Sequence, residues 1–174
     1  LKMNSANSLM TDTDGKKQAV TAQVADALRL GGSAIGFTIY PGSDMALEMF
    51  EEIAMLRAEA AAVGIPTVIW SYPRGEAITK DGETAIDIAA YAAQIAALIG
   101  AHIIKIKLST DNLMLPEAKK VYEDKKIDVA TQAKRVAHCM QASFNGRRIV
   151  VISGGAAQGA DAVFEDARAN RDRS

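Results

Sequence analysis

The sequence predicts an α/β fold on parallel strands, a (β/α)8 TIM barrel present in part. Three observations carry that prediction. Short apolar strands alternate with amphipathic helices. Strand starts near positions 34, 67, 102 and 149 are separated by 33, 35 and 47 residues, the rhythm of a repeated βα unit. Polar or bulky side chains recur on one face of successive strands. A doubly wound sheet shares the rhythm, but it concentrates its site at one switch point. Functional groups at the C-terminal ends of several strands favour the barrel. A whole barrel typically takes eight strands and about 250 residues. Four full strands and one partial strand are legible here, so the early strands and the last one are expected to be absent.

Leu1-Lys2-Met3-Asn4 reads as the end of a strand, and residues 5–18 as a polar loop. Thr21 to Leu30 has helical spacing, with Val24, Ala27 and Leu28 on one side and Gly31-Gly32 as the stop. Ala34 to Tyr40 is a strand ended by Pro41-Gly42-Ser43. Ser43 or Asp44 is expected to cap a helix to about Val63, whose apolar stripe is Leu47, Phe50, Ile53, Ala54 and Leu56. Pro66 to Tyr72 is the next strand, ended by Pro73-Arg74-Gly75. An alanine-rich helix follows from about Thr84 to Ile99, and Gly100 terminates it. Ala101 to Leu108 is a strand. Residues 109–127 read as a long polar excursion, and Asp128 as the cap of a helix to about Phe144. Asn145-Gly146 turns the chain into a strand from Arg148 to Ser153, and Gly154-Gly155 opens a last helix.

The 174 residues suit one domain with a sizeable core. Apolar content of 49% and charged content of 24% are those of a globular protein. A formal net charge of −1 gives no global attraction to nucleic acid or anionic membrane, so neither partner is expected and any anion site is local. A lone Cys139 excludes an internal disulfide framework and reads as a packing residue of a reducing, cytoplasmic compartment. No apolar run reaches the roughly 18 residues of a membrane span. The chain begins at Leu1 rather than Met, and further sequence upstream is expected.

The most informative strand is Ile103-Ile104-Lys105-Ile106-Lys107-Leu108. Alternation puts Lys105 and Lys107 on one face with Ile103. Burial and mutual repulsion both favour a neutral amine, and a neutral lysine amine attacks carbonyl carbon. An edge strand whose lysines face water and discourage aggregation fits these residues equally well. Trp70 and Tyr72 share a face of the preceding strand. If neighbours in sequence are neighbours in space, Tyr72 faces the same interior as Lys105 and can move protons there; interior filling is the plainer role for both aromatics. Ser153-Gly154-Gly155 ends a strand before a helix and offers backbone N–H groups to phosphate, although many βα turns carry glycines for steric reasons alone. His102 and His138 have no ligand spacing and read as structural, so neither metal nor other cofactor is expected. Dinucleotide binding lacks its glycine motif.

Four segments together resemble the archaeal-type, or DhnA-type, class I fructose-bisphosphate aldolases. They are Ala34-Ile35-Gly36-Phe37-Thr38-Ile39-Tyr40-Pro41-Gly42-Ser43, Trp70-Ser71-Tyr72-Pro73-Arg74-Gly75, Ile104-Lys105-Ile106-Lys107 and Ser153-Gly154-Gly155. The resemblance covers residues 1 to about 168. It implies a TIM barrel of which this chain holds about strands 3–7, as a single aldolase domain over residues 1–174, truncated at both ends. It implies a Schiff base on Lys105, proton transfer by Tyr72, substrate packing by Trp70, and phosphate binding by Ser153, Gly154 and Gly155. Lys107 is expected either to bias Lys105 toward its neutral amine or to meet substrate phosphate. The family's Asp-His-Gly segment, its strand 2 and its Gly-Arg segment of strand 8 are not present. The expected reaction is reversible cleavage of fructose 1,6-bisphosphate to dihydroxyacetone phosphate and glyceraldehyde 3-phosphate in glycolysis and gluconeogenesis, by a homo-oligomer. The alternatives are a related Schiff-base aldolase or transaldolase acting on another phosphorylated ketose, and a non-catalytic truncated homologue.

Overall fold

A computed structural model of the chain describes residues 1–7, 9 and 17–153. The elements in order are β1 (Asn4–Ser5), β2 (Ala19–Val20), α1 (Val24–Arg29), β3 (Ile35–Ile39), α2 (Ala46–Ala62), β4 (Thr67–Ser71), a 3-10 turn (Gly82–Thr84), α3 (Ile86–Ile99), β5 (Ile103–Lys107), α4 (Pro116–Asp124), α5 (Gln132–Ala142) and β6 (Ile149–Ser153).

Strands β3, β4, β5 and β6 form one parallel sheet in chain order. Every strand lies beside its neighbour in sequence, so the order never reverses as a doubly wound sheet requires. Right-handed crossovers taken in one direction keep all the helices on one side, which is how a barrel wall is built. Burial follows the strand alternation. Ile35, Phe37, Ile39, Ile69, Ile104 and Ile106 are buried on the helix side. Helix α3 packs there on β4, β5 and α5, and Ala89, Ala93, Ala96 and Ala97 give it a thin buried face. The opposite side is only part-covered: Val68, Trp70, Ile103, Lys105 and Lys107 are half-buried, and Ile149 and Val151 are exposed.

Leu1 to Met3 run parallel to β3, with the Met3 N–H donating to Gly36 O and the Gly36 N–H to Leu1 O, each at 2.8 Å. Asn4 then leaves to pair antiparallel with β2, and its side chain completes the seam. Asn4 Oδ1 accepts from the Thr38 N–H at 2.9 Å, and Asn4 Nδ2 donates to Thr38 O at 2.8 Å. A buried carboxamide thus reproduces the donor–acceptor pair of one more backbone residue, which keeps both Thr38 groups satisfied.

Several boundaries differ from the sequence expectation. The polar run at 5–18 contributes Ser5 to β1, and Ala19–Val20 add a strand that two residues of pattern cannot reveal. Helix α1 is shorter than Thr21–Leu30. Met45 occupies the cap position of α2, and Ser43 serves it indirectly by accepting from the Met45 N–H at 3.1 Å. Thr84 closes a 3-10 turn, and α3 starts only at Ile86. The excursion at 109–127 contains α4, an amphipathic helix started by Pro116 with no buried residue. It is tethered from outside: Asp87 accepts the N–H groups of Met114 and Leu115 at 3.1 and 2.8 Å, and Tyr122 Oη lies 2.7 Å from His138 Nε2 on α5. Thr131, not Asp128, caps α5 by accepting from the Lys134 N–H at 3.3 Å. The expected last helix lies outside the described residues.

Two outcomes follow from these contacts. Asn4→Ala leaves two buried Thr38 backbone groups without their partners and is expected to destabilise the fold by about 1–3 kcal/mol, read from urea denaturation midpoints. His138 is held below its ordinary value of 6.5 by burial. The folded state therefore favours the neutral imidazole, and the associated stability is present above pH 6.5 and lost as pH falls through the lower folded value. In His138→Gln the slope of unfolding free energy against pH across that window is expected to flatten.

Candidate active site

The half-buried side of the sheet carries the polar groups in rows. Thr38 pairs with Trp70, Trp70 with Lys105, and Lys105 with Val151. One row nearer the C-terminal ends, Lys107 pairs with Ser153. Tyr40 and Tyr72 lie two residues beyond Thr38 and Trp70, and the Tyr72 N–H donates to Ile39 O at 3.1 Å, so alternation places both tyrosines in that upper row. Neighbouring strands are about 4.8 Å apart. Lys105 therefore has Trp70 directly beside it and Tyr72 diagonally above, within reach of long side chains. The edge-strand reading of the two lysines is thereby excluded, because β5 is hydrogen-bonded on both sides.

Gly36 explains the seat of Trp70. A Cβ on Gly36 would lie 2.3 Å from Trp70 Cζ3, so the indole reaches back over a position that only hydrogen can occupy. The loops above the strands interlock in a similar way. Gly42 N–H donates to Arg74 O, and Ala77 N–H to Gly42 O, both at 3.1 Å. Gly75 has φ +123°, and a Cβ there would meet Gly42 O at 2.3 Å. The Pro-Gly-Ser and Pro-Arg-Gly turns are thus two halves of one backbone contact at the mouth. The Arg74 guanidinium sits 5.8 Å from the Tyr40 ring centroid. Gln18 Nε2 donates to Tyr40 Oη at 2.7 Å, and Lys2 Nζ donates to Gln18 Oε1 at 3.4 Å and Asn4 Oδ1 at 2.5 Å. Burial lowers the Lys2 ammonium from its usual range.

Lys107 is held. Its Nζ lies 2.9 Å from Glu83 Oε2, and Lys80 Nζ lies 3.2 Å from Glu83 Oε1. Burial raises the Glu83 carboxyl, but the hydrogen bonds from Lys107 and Lys80 outweigh it and hold the group below the usual carboxylate range. This pairing reduces the repulsion that two bare ammonium groups would exert along β5. Ser153 Oγ donates to Ile106 O at 3.1 Å, which occupies its hydroxyl proton. Gly154 and Gly155 lie outside the described residues. His102 Nδ1 accepts from the Thr67 N–H at 3.0 Å and so closes the start of β4. Cys139 is 1% exposed, and burial pushes its thiol up to about 12, which makes it inert packing.

Glu83 was invisible to sequence reasoning because it meets Lys107 across 24 residues, from a turn with no motif of its own. Gly36 carried a usable signal: a glycine inside a strand marks close approach. The predicted set Trp70, Tyr72, Lys105 and Lys107 does converge on one face of adjacent strands. By register, an amine, an indole and a phenol share one side of the sheet toward the C-terminal ends of parallel strands, with the indole ring turned toward Gly36.

Comparison with known proteins places the chain in a family. The profile of the DeoC/LacD family aldolases matches residues 1–170. The class 1 fructose-bisphosphate aldolase of Thermoproteus tenax is 43% identical over 122 residues, which is 70% of this chain and 44% of that protein. An archaeal fructose-1,6-bisphosphate aldolase, solved with its catalytic Lys covalently bound to the carbinolamine intermediate, superposes with TM-score 0.74 at 31% identity, over 95% of this chain and 55% of that one. The fructose-bisphosphate aldolase of Slackia heliotrinireducens superposes with TM-score 0.77 at 27% identity, over 98% of this chain and 50% of that one. The chain thus spans about half the length of the relatives it matches.

Gly36→Ala must displace the Trp70 ring. Because Trp70 is the sole tryptophan, its fluorescence maximum is expected to shift, with a loss of stability of about 1–3 kcal/mol from overpacking; an unchanged spectrum would show that the ring does not rest there. The strand order, the interior row holding Lys105 and the profile match over nearly the whole sequence agree, and the chain belongs to the DeoC/LacD aldolase family.

Proposed function

We propose that the protein is a class I fructose-bisphosphate aldolase that works through a Schiff base on Lys105. The observation that carries this reading is the register of Lys105 beside Trp70 on the half-buried side of a four-stranded parallel sheet. The aldolase relatives support the substrate: a phosphorylated ketose, fructose 1,6-bisphosphate.

The Lys105 amine adds to the substrate ketone, forming a C–N bond as the carbonyl π bond breaks, and one proton passes from the nitrogen to the oxygen to give a neutral carbinolamine. Tyr72 donates its phenolic proton to the carbinolamine hydroxyl, which leaves as water and yields a cationic iminium. The Tyr72 phenolate then takes the proton of the C4 hydroxyl as the C3–C4 bond breaks. The electron pair of that bond flows into the iminium and gives a neutral enamine plus the aldehyde product. Protonation of the enamine at C3 and addition of water release dihydroxyacetone phosphate and free Lys105. Trp70 supplies an apolar wall against the substrate, and Lys107 stands one row nearer the mouth. Phosphate binding falls to Ser153, Gly154 and Gly155, although the Ser153 hydroxyl proton is engaged by Ile106 O in the free protein. The same reading extends to a single aldolase domain over the whole sequence, to a homo-oligomer, and to a cytoplasmic role in glycolysis and gluconeogenesis. No helix among the described residues is long and apolar enough to cross a membrane.

Borohydride reduction in the presence of fructose 1,6-bisphosphate is expected to leave a stable adduct on Lys105, found by peptide mass spectrometry. Lys105→Met is expected to abolish both the adduct and cleavage. Tyr72→Phe is expected to retain the lysine but lose about 10²–10⁴-fold in turnover, the usual contribution of a positioned proton donor. Absence of any adduct at Lys105 in the unmodified protein would overturn the reading, and a panel of phosphorylated ketoses separates fructose 1,6-bisphosphate from other substrates.

A further inference from the structure

Glu83 has no place in the chemistry described above, yet its surroundings are unusual. Its carboxylate is only 13% exposed and receives ammonium groups on both oxygens, Lys107 at 2.9 Å and Lys80 at 3.2 Å. Lys80 is 87% exposed, so water screens it. Lys107 is 27% exposed and stands two residues from Lys105 on the same side of β5. Two residues along a strand span about 6.5–7 Å.

That spacing matters because of how charge changes during the reaction. The carbinolamine on Lys105 is neutral. Loss of its hydroxyl as water takes the Tyr72 proton and leaves an iminium with a full positive charge on Lys105 and a phenolate that must next take the C4 proton. An uncompensated Lys107 ammonium would repel the iminium and hold the phenolate as a weaker base, whereas a Lys107–Glu83 pair has no net charge. We propose that Glu83 is a positioning residue that cancels the charge of Lys107, so that a cationic iminium can form on Lys105. The proposal rests on the Schiff-base reading above and concerns one step of it. It also reassigns Lys107: with Glu83 holding it, the amine is fixed over the site, and its charge is already met before substrate arrives. The 3-10 turn at Gly82–Thr84 serves to present Glu83. The Thr110 N–H donates to Thr84 O at 2.8 Å, which ties the turn to the loop after β5.

The test compares iminium trapping in the unmodified protein, Glu83→Gln and the double variant Glu83→Gln/Lys107→Met, each at saturating fructose 1,6-bisphosphate with borohydride. Two unit charges about 7 Å apart in a partly screened protein environment shift an equilibrium by roughly tenfold or more. Glu83→Gln is therefore expected to lower the fraction of Lys105 trapped about tenfold, with kcat falling more than KM rises. The double variant leaves no unpaired charge and is expected to recover trapping to within about threefold of the unmodified protein. A merely structural Glu83 would not be rescued by deleting its partner. Trapping in Glu83→Gln equal to that of the unmodified protein overturns the proposal, and so does a double variant as deficient as Glu83→Gln. If Glu83→Gln does not fold, the double variant alone decides by the same threefold criterion. Failure of the unmodified protein to be trapped at all removes the Schiff-base reading itself, and this inference with it.

Discussion

The site depends on three adjacent pairings between β4 and β5: Val68 with Ile103, Ile69 with Ile104, and Trp70 with Lys105. Side chains alternate with a period of two, so a slip of one residue would exchange the two sides of a strand. Lys105 and Lys107 would then face α3, and Ile104 and Ile106 would face the polar side. Neither substitution is tolerable: two ammonium groups among buried alanines lack partners, and two isoleucines would lose their burial. The hydrophobic demand of the helix side therefore sets the position of Lys105 to within one residue, without any contact to it.

A second constraint acts at the C-terminal ends. The Gly42–Gly75 contact locks the loop after β3 to the loop after β4 through backbone atoms. A side chain at position 75 would meet the Gly42 carbonyl, so the spacing of these loops is set by the absence of a Cβ. Gly36 acts similarly deeper in the sheet, where the indole of Trp70 occupies the room a methyl would take. Small residues here set the clearance around large ones.

Polar groups on the two sides of the sheet are handled differently. On the helix side, the buried hydroxyls of Thr67 and Ser71 have no hydrogen-bond partner among the described residues. On the other side, two chains of polar contacts run beside the Lys105 row. Lys2, Asn4, Gln18 and Tyr40 form one, and Lys107, Glu83 and Lys80 another. Satisfied networks are rigid, because breaking any member leaves another buried and unpaired.

Residues alone determined the class of fold, the parallel order implied by the βα rhythm, and the grouping of Trp70, Tyr72, Lys105 and Lys107 on interior faces, since strand alternation and repeat spacing are local properties. They also pointed to the aldolase family, because its motifs are short contiguous runs. Helix α4 was hidden because it is short, most of its residues are charged and none is buried. Strand β2 was hidden because two residues carry no pattern. The Asn4 clamp on Thr38 spans 34 residues and the Glu83 grip on Lys107 spans 24. Only the folded chain decided these, because hydrogen bonds between distant residues depend on how strands and turns are stacked, and no local run of sequence encodes that stacking.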